Sequence, residues 1–287
     1  MENNESVEHE TVNDKDKRIK TLKNVLKHSC IILSLIIYCT FAILFTFQNR
    51  FIFKKSENFV SSETHSWFTM SFSISISIGT ENHINFGTVE HGSDTDLFLF
   101  HDRTMNTIAL NEMMAGLTRY NIIYYHAKEY EDGTFIKDTK KTLENIRTLV
   151  EFMSYRRNKV VVYGQSFGCY LALLSTKIMD KKLTLVLANP FFSFRSVVKH
   201  QFFLPLHLLL VNDCNNYKLL KKFNGKMMLI LSENDAYLPK NDIKKMRELT
   251  ESKNGQIFVI EGAGHFDVSK KDQFYTILNN DIAREVE

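Results

Sequence analysis

Seven short apolar runs recur along the chain after residue 70, and they restrict its fold more than any other feature. Residues 71–78 alternate between serine and apolar residues, as a strand with one wet and one dry face does. The other six are continuous apolar runs at residues 97–100, 122–125, 160–163, 183–187, 227–231 and 257–260. Helices are predicted between most of them, near residues 107–118, 138–155, 167–179 and 240–252. This order predicts an α/β domain over residues 51–287, with a mostly parallel sheet covered by helices on both faces.

An uncharged segment near the N-terminus, residues 29–47, reads SCIILSLIIYCTFAILFTF. As a helix, its 19 residues are long enough to cross a bilayer core of about 30 Å. The alternatives are a buried core helix, which usually has a polar face, and a cleaved signal peptide, which usually has a shorter apolar region. The sequence therefore predicts a polar tail over residues 1–28 and a transmembrane anchor over residues 29–47.

The charges around this segment predict its orientation. Six Lys or Arg residues lie within the 14 residues before it, and Arg50, Lys54 and Lys55 follow it. The positive-inside rule then places the N-terminus in the cytosol and the α/β domain on the opposite face of a lipid bilayer. The alternative is a monotopic or re-entrant segment.

Composition excludes several other function classes. The net charge is only +3 and the basic residues are scattered, which argues against nucleic-acid binding. The four cysteines form no CxxC pair or His/Cys cluster, so neither a metal site nor a disulfide framework is expected. No cofactor motif occurs, and none is predicted.

One turn carries the pattern of a nucleophilic serine. The apolar run 160–163 leads directly into Gly164-Gln165-Ser166-Phe167-Gly168, and a helix-like segment follows. In a strand–turn–helix context, G-x-S-x-G holds the serine hydroxyl above the sheet, and its small flanking residues let strand and helix approach closely. The alternative is a glycine-containing turn with an incidental serine. The context favours Ser166 as a nucleophile.

A serine nucleophile requires a base and an acid that orients this base. Asp235 follows the run 227–231, and His265 lies in the glycine-rich turn Gly262-Ala263-Gly264-His265 after the last run. Both are therefore expected at the same edge of the sheet as Ser166. The backbone N–H groups of Phe167 and Arg103 are the predicted oxyanion donors, Arg103 because it lies in the loop after the run 97–100.

These motifs, together with residues 51–54 and Trp67, resemble the α/β-hydrolase superfamily over residues 50–280. They look most like its membrane-anchored branch of small serine hydrolases, which includes depalmitoylase-like and acylglycerol-lipase-like members. The resemblance implies an α/β-hydrolase fold and a Ser166–His265–Asp235 triad. Two departures are clear: Asp102 stands after His101 where members usually carry glycine, and residues 124–127 lack the aspartate, arginine and glycine that are usual there.

A short apolar cap is predicted at about residues 190–225, because six apolar residues cluster at its start: Phe191, Phe192, Phe194, Phe202, Phe203 and Leu204. The cap fits an acyl pocket or a membrane-facing surface. The leading hypothesis is a membrane-anchored enzyme that hydrolyses an acyl ester or acyl thioester, and peptidase chemistry would use the same triad. The alternative is a catalytically silent α/β-hydrolase fold that acts as a membrane-bound binding or scaffold protein.

Overall fold

The computed structural model of the protein describes residues 21–40, 42–43, 72–78, 82–126, 139–153, 159–179, 182–202, 206–208, 210 and 213–286. The chain divides into two compact units, Met1–Phe51 and Ile52–Glu287. Several sequence predictions fall outside the described residues. These are the tail up to residue 20, positions 41 and 44–47 of the predicted anchor, residues 50–55, Trp67, position 71 of the first run, residue 127, positions 138 and 154–155 of a predicted helix, and positions 203–205, 209 and 211–212 of the predicted cap.

The first unit contains one described helix, α1 (Thr21–Thr40), which is long and apolar enough to cross a membrane. Its 20 residues span about 30 Å at 1.5 Å per residue. The helix begins before the uncharged segment and includes Lys23 and Lys27. Its apolar side chains are exposed all around, for example Leu33 at 58% and Ile36 at 57%.

In the described part of the second unit, eight strands form one sheet in the order β1-β2-β4-β3-β5-β6-β7-β8. The strands are β1 Phe72–Ile78, β2 Asn82–Val89, β3 Thr95–Phe100, β4 Asn121–His126, β5 Lys159–Gln165, β6 Leu183–Ala188, β7 Lys226–Ser232 and β8 Gln256–Ile260. β2 pairs antiparallel with β1 and β4. The pairs from β4 to β8 are all parallel. The predicted mostly parallel sheet is therefore confirmed.

Helices connect the strands. They are α2 Thr107–Gly116, α3 Thr139–Met153, α4 Gly168–Ser175, α5 Phe194–Gln201, α6 Asn216–Lys222, α7 Lys240–Glu251, α8 Asp272–Thr276 and α9 Ala283–Val286. Short 3-10 helices cover Leu206–Leu208 and Val268–Lys270, and a π-helical turn covers Ile277–Ile282. Local sequence sets several of these starts: Asn106 caps α2, and Ser193 caps α5 through a capping box with Ser196.

The central strands are buried on both faces. In β5, Val161 and Tyr163 belong to the core cluster that also contains Leu110 of α2 and Phe274 of α8. The alternate residue Val162 points to the other face and is also fully buried. Continuous apolar runs therefore give strands covered by helices on both faces, as the sequence predicts.

Candidate active site

Ser166 lies in the turn between β5 and α4, at the carboxyl end of the central strand. Its backbone φ is 52°, in the left-handed region that residues with a Cβ rarely adopt. The Ser166 N–H donates to the Ala188 carbonyl at 2.8 Å, which ties the turn to the end of β6. The turn thus holds a strained serine at a fixed position on the sheet edge, as a nucleophile elbow does.

The two glycines of this turn are required by close packing. A Cβ at Gly168 would lie 1.9 Å from the Phe100 carbonyl oxygen, and one at Gly164 would lie 2.7 Å from the Cys169 Cα. A side chain at either position would push α4 away from β3 or β5. The glycine spacing of the motif therefore has a local steric cause, and it brings the loop after β3 against the serine turn.

His265 and Asp235 form a hydrogen-bonded chain with Ser166. The Ser166 Oγ lies 2.8 Å from His265 Nε2, and His265 Nδ1 lies 2.7 Å from Asp235 Oδ2. A carboxylate only accepts, so Nδ1 carries the proton and Nε2 is free to accept from the serine hydroxyl. All three residues are buried. The structure thus brings together the three side chains that the sequence selected, in the order that proton transfer requires.

The Asp235 side chain is held by backbone N–H groups of its own loop. The second carboxylate oxygen of Asp235, Oδ1, accepts from the N–H groups of Tyr237 and Leu238, both at 2.9 Å. With these two bonds and the one from His265, the Asp235 carboxylate accepts three hydrogen bonds. The loop N–H groups therefore fix the orientation of the carboxylate, with Oδ2 directed at His265.

Two other acids hold the backbone of the histidine loop. The Glu233 carboxylate accepts from the Gly262 N–H at 2.8 Å, and the Asp267 carboxylate accepts from the Gly264 N–H. Gly262 has a φ of 63°, which suits glycine. Both acids bind backbone N–H groups, whereas Asp235 binds the imidazole, so each has a structural role in shaping the turn that contains His265.

Sequence reasoning missed one residue of this site, Asn189 at the end of β6. Its side-chain amide donates to Ser232 Oγ at 2.7 Å and to the His265 carbonyl at 3.1 Å, and it accepts from the Ser232 N–H at 2.8 Å. Asn189 is fully buried and has a φ of 47°. An asparagine before a proline at a strand end was the available signal, because asparagine tolerates the left-handed conformation.

Aromatic rings enclose the imidazole of His265. The ring of Tyr237 is tilted against it at 4.6 Å, and the ring of Phe266 meets it edge-on at 4.7 Å. Burial raises the pKa of the Tyr237 phenol, and the Asp102 and Asp235 carboxylates raise it further, whereas Arg103 lowers it. The Tyr237 carbonyl also accepts from the Gln201 side chain at the end of α5. Tyr237 therefore lies where the acid loop, the loop after β3 and α5 approach one another.

The loop after β3 lies beside the serine turn. A Cβ at Gly168 would lie 2.7 Å from the His101 carbonyl oxygen, so this loop contacts the start of α4. The Asp102 side chain folds back on its own loop: Oδ2 accepts from the Thr104 N–H at 3.3 Å and from the Thr104 hydroxyl. Arg103 is half-buried in this loop, and Phe167 directly follows Ser166. Both predicted oxyanion donors thus belong to segments that meet at the start of α4, directly after Ser166.

An aromatic cluster joins Phe167, the residue after Ser166, to the predicted cap. The Phe167 ring lies 5.7 Å from that of Phe191 and 5.5 Å from that of Phe194, and all three are buried. Phe191 and Phe194 belong to the predicted cap, which here comprises α5, a 3-10 turn and α6 between β6 and β7. Phe202 is described at the end of α5, whereas Phe203 and Leu204 lie outside the described residues. The described part of the cap therefore packs apolar rings against Phe167, which directly follows Ser166.

Comparison with known proteins identifies the architecture. A predicted CIB-like hydrolase from Thermoplasma acidophilum matches 75% of this chain and 99% of its own at 16% identity, with a TM-score of 0.52. The esterase Pf2001 from Pyrococcus furiosus matches 75% of this chain and 90% of its own at 14% identity, with a TM-score of 0.55. The chain has the α/β-hydrolase fold.

The same α/β-hydrolase fold occurs in a third similar structure, the peroxisomal α/β-hydrolase Lpx1 from Saccharomyces cerevisiae. It matches 76% of this chain and 89% of its own at 12% identity, with a TM-score of 0.52. No family model matches the chain, and no curated protein matches it in sequence. At these identities the likeness establishes only the fold of the chain.

Proposed function

We propose that this chain is a serine hydrolase that cleaves an ester or thioester bond of an acylated lipid or protein. The observation that carries the proposal is the buried hydrogen-bonded chain from Ser166 Oγ through His265 to Asp235. A strained serine, a base within 3 Å and an orienting carboxylate form the arrangement that activates a hydroxyl for attack on an acyl carbon. The hydrolase and esterase descriptions of the structurally similar proteins support this general chemistry.

The proposed reaction has two halves. The Ser166 Oγ attacks the acyl carbon while its proton passes to His265 Nε2, and Asp235 stabilises the imidazolium. The tetrahedral intermediate expels the alcohol or thiol, which takes that proton from His265, and the acyl group stays on Ser166. A water then attacks the acyl-enzyme with His265 again as base, and the carboxylic acid leaves as the serine regains its proton.

The Phe167 and Arg103 N–H groups are the proposed oxyanion donors. An oxyanion hole needs only backbone donors. Aspartate in place of the usual glycine at position 102 therefore does not by itself prevent an oxyanion hole from forming. The hydrogen bonds from Thr104 to the Asp102 carboxylate support the enzyme over the silent fold, because they give the negative charge a partner within its own loop. Arg103 adds a positive charge to the same loop.

The proposed substrate class rests on the aromatic cluster and on α1. Apolar rings from Phe167, Phe191 and Phe194 beside the nucleophile suit the acyl part of a substrate. In the proposal, α1 and the uncharged residues after it anchor the chain in a bilayer, with the N-terminus in the cytosol and the hydrolase unit on the opposite face. A membrane anchor would hold such an enzyme where acylated lipids and proteins are concentrated.

Covalent labelling with a fluorophosphonate probe tests the proposal without knowledge of the substrate. We expect the unmodified chain to be labelled, and Ser166→Ala to lose labelling and to hydrolyse a p-nitrophenyl acyl ester slower by several orders of magnitude. Ser175→Ala is the matched control, because Ser175 is a buried serine in α4 that contacts only the Ala172 carbonyl in the described hydrogen bonds. It should label like the unmodified chain.

Two outcomes contradict the proposal. If the folded, unmodified chain is not labelled, the silent binding or scaffold protein becomes the better interpretation. If Ser166→Ala is labelled as strongly as the unmodified chain, a different nucleophile reacts. Thermal denaturation of each variant establishes that a loss of labelling does not reflect unfolding.

A further inference from the structure

Two aromatic side chains to which the proposed reaction gives no role lie against the imidazole of His265. The ring centroids of Tyr237 and Phe266 lie 4.6 and 4.7 Å from that of the imidazole, and 5.1 Å from each other. The Tyr237 ring is inclined at 35° to the imidazole plane, whereas the Phe266 ring meets it at 83°. The three rings therefore form one cluster around the group that moves the proton.

This pair of rings is more exposed than the aromatic cluster around Phe167. In that cluster Phe167, Phe191 and Phe194 are exposed by 6%, 3% and 6%. Phe266, in contrast, is 49% exposed, and Tyr237 is half-buried. One exposed apolar side chain is ordinary on a protein surface, but this one contacts the general base. Phe266 therefore offers apolar surface to a molecule that approaches the imidazole.

The Tyr237 ring belongs to a backbone segment that is held from two sides. Its N–H donates to Asp235 Oδ1 at 2.9 Å, and its carbonyl accepts from the Gln201 side chain at 2.6 Å. The Tyr237 ring also meets the Phe266 ring at an angle of 63°. Because one of these hydrogen bonds is to the orienting acid, the pair of rings has a defined place relative to the triad, as in a preformed ligand site.

The proposed reaction determines which part of a substrate reaches these rings. When the tetrahedral intermediate collapses, the bond from the acyl carbon to the alcohol oxygen or thiol sulfur breaks. The electron pair stays on that leaving atom, and His265 Nε2 gives it a proton. The transfer requires the leaving atom to lie within about 3 Å of Nε2. The group attached to the leaving atom therefore begins beside the imidazole, within reach of Tyr237 and Phe266.

We infer that Tyr237 and Phe266 form the subsite for the leaving group and that they select an apolar alcohol or thiol. The inference rests on the proposed serine hydrolase function and adds to it the chemical class of the second half of the substrate. Contact between aromatic rings and an apolar group is favourable because it removes both surfaces from water. The acyl part would be bound separately, by the rings around Phe167.

Three butyrate esters that differ only in the alcohol test the inference on the full chain in detergent. Methyl, benzyl and glycerol butyrate all form the same butyryl-enzyme, so differences in kcat/KM report the step in which the alcohol leaves. Methanol and benzyl alcohol have similar acidity, and glycerol is a polar alcohol. One methylene in an apolar pocket changes kcat/KM by about tenfold or more. We therefore expect benzyl butyrate to exceed both other esters by about tenfold.

Phe266→Ala should remove most of this preference, so that the benzyl-to-methyl ratio falls about tenfold while kcat/KM for methyl butyrate stays near that of the unmodified chain. Phe266→Leu keeps an apolar side chain and should keep most of the ratio. Partition of the esters into micelles affects every variant alike, so the ratio can be compared between variants. Val259→Ala is the matched control, because Val259 is a 37% exposed apolar residue of β8, and it should keep the ratio.

Three results would overturn the inference. An equal loss of kcat/KM for all three esters in Phe266→Ala would mean that the ring only positions the imidazole. Equal hydrolysis of the benzyl and methyl esters, or of the benzyl and glycerol esters, by the unmodified chain would show no apolar selection, whereas fluorophosphonate labelling would still support the proposed function. If the unmodified chain is neither labelled nor active on any of the esters, the proposed function and the subsite are both wrong.

Discussion

Three non-glycine residues in the described part of the chain have left-handed backbone conformations: Ser166, Asn189 and Asn254. Such a backbone costs a residue with a Cβ about 1–2 kcal/mol, so it persists where surrounding contacts enforce it. Ser166 and Asn189 lie at neighbouring strand ends in the candidate active site, whereas Asn254 lies in an exposed turn after α7. The strain at Ser166 is the local cost of the turn that brings it to His265, whereas asparagine adopts the left-handed conformation more readily.

We expect Asn189→Ala to lower both stability and turnover. The change removes three side-chain hydrogen bonds and leaves the buried Ser232 N–H without its acceptor, at a cost of about 1–3 kcal/mol. It also frees the His265 carbonyl, so the imidazole should shift relative to Ser166. The expected result is a kcat about 10–100-fold lower with little change in KM, since misplacement affects the reacting geometry. Steady-state hydrolysis of a p-nitrophenyl ester and thermal denaturation measure both effects.

Two variants separate the amide from the backbone strain. Asn189→Gly accepts a φ of 47° but has no amide, so it should still lose turnover. Asn254→Ala has the same backbone strain at φ 56° far from the site, so it should lose stability only. If Asn189→Gly retained the full kcat, the amide would have no part in positioning His265.

The residues of the proposed triad could be selected from the sequence because each lies just after an apolar run, and strand ends of a parallel sheet meet at one edge. Asn189 also follows an apolar run, 183–187, but the Asn-Pro pair there indicates only a turn and not which groups its side chain binds. Its partners Ser232 and His265 are 43 and 76 residues further along the chain, and only the completed sheet brings them together.

At the level of elements, all seven apolar runs lie within or overlap strands, but β2 was not predicted. Its sequence, NHINFGTV, contains no apolar run, and β2 is held by antiparallel pairing with β1 and β4. Gly87 in this strand leaves room for the Tyr124 ring of β4, since a Cβ there would lie 2.3 Å from it. Long-range pairing, which local patterns do not encode, determines this strand.

The loop between β3 and α2 gives a prediction at the same scale. We expect Asp102→Gly to leave the rate of fluorophosphonate labelling unchanged or to raise it modestly. The change removes a negative charge near the proposed oxyanion, but it also removes the hydrogen bonds from Thr104 that order the loop. Loss of the charge should speed labelling and loss of the loop's hydrogen bonds should slow it, so we expect a small net change in the rate.

Asp102→Asn is the control for this loop, because an amide oxygen still accepts from the Thr104 N–H while the charge is lost. It should label at least as fast as Asp102→Gly. A drop of 100-fold or more in either variant would mean that the carboxylate itself is required, which contradicts a hole built from backbone donors. Removal of the charge should also lower the pKa of Tyr237 towards its ordinary value, since Asp102 contributes to raising it.

For the whole molecule, the first unit contains a helix that is long and apolar enough to cross a membrane. The helix α1 exposes apolar side chains on every side, such as Leu33, Leu35 and Ile37, each exposed by half or more. In water this would leave several hundred Å² of apolar surface uncovered, at about 25 cal/mol per Å². A helix that is apolar all around is stable in a bilayer or inside a core. The apolar stretch of α1 is not buried in a core within the described part of the chain.

We therefore expect the full chain to remain with membranes after an alkaline carbonate wash, and a variant that lacks residues 1–50 to be released. The deletion stays within the first compact unit, Met1–Phe51. The released variant should still be labelled at Ser166 by a fluorophosphonate, because the described hydrogen bonds of the triad all lie in the second unit. Full-length Ser166→Ala is the control that separates membrane attachment from catalysis, and it should sediment with the unmodified chain.

The intact mass of the mature protein distinguishes an anchor from a signal peptide, since both have an apolar helix near the N-terminus. A retained anchor requires residues 1–50 in the membrane-bound protein. If the mature chain lacks them and is soluble, α1 is a signal sequence and the proposed anchoring is wrong.

If the variant that lacks residues 1–50 stays on membranes, another segment holds it there. The cap would then be the first candidate, and replacing exposed Leu208 of its 3-10 turn with Gln should weaken that attachment.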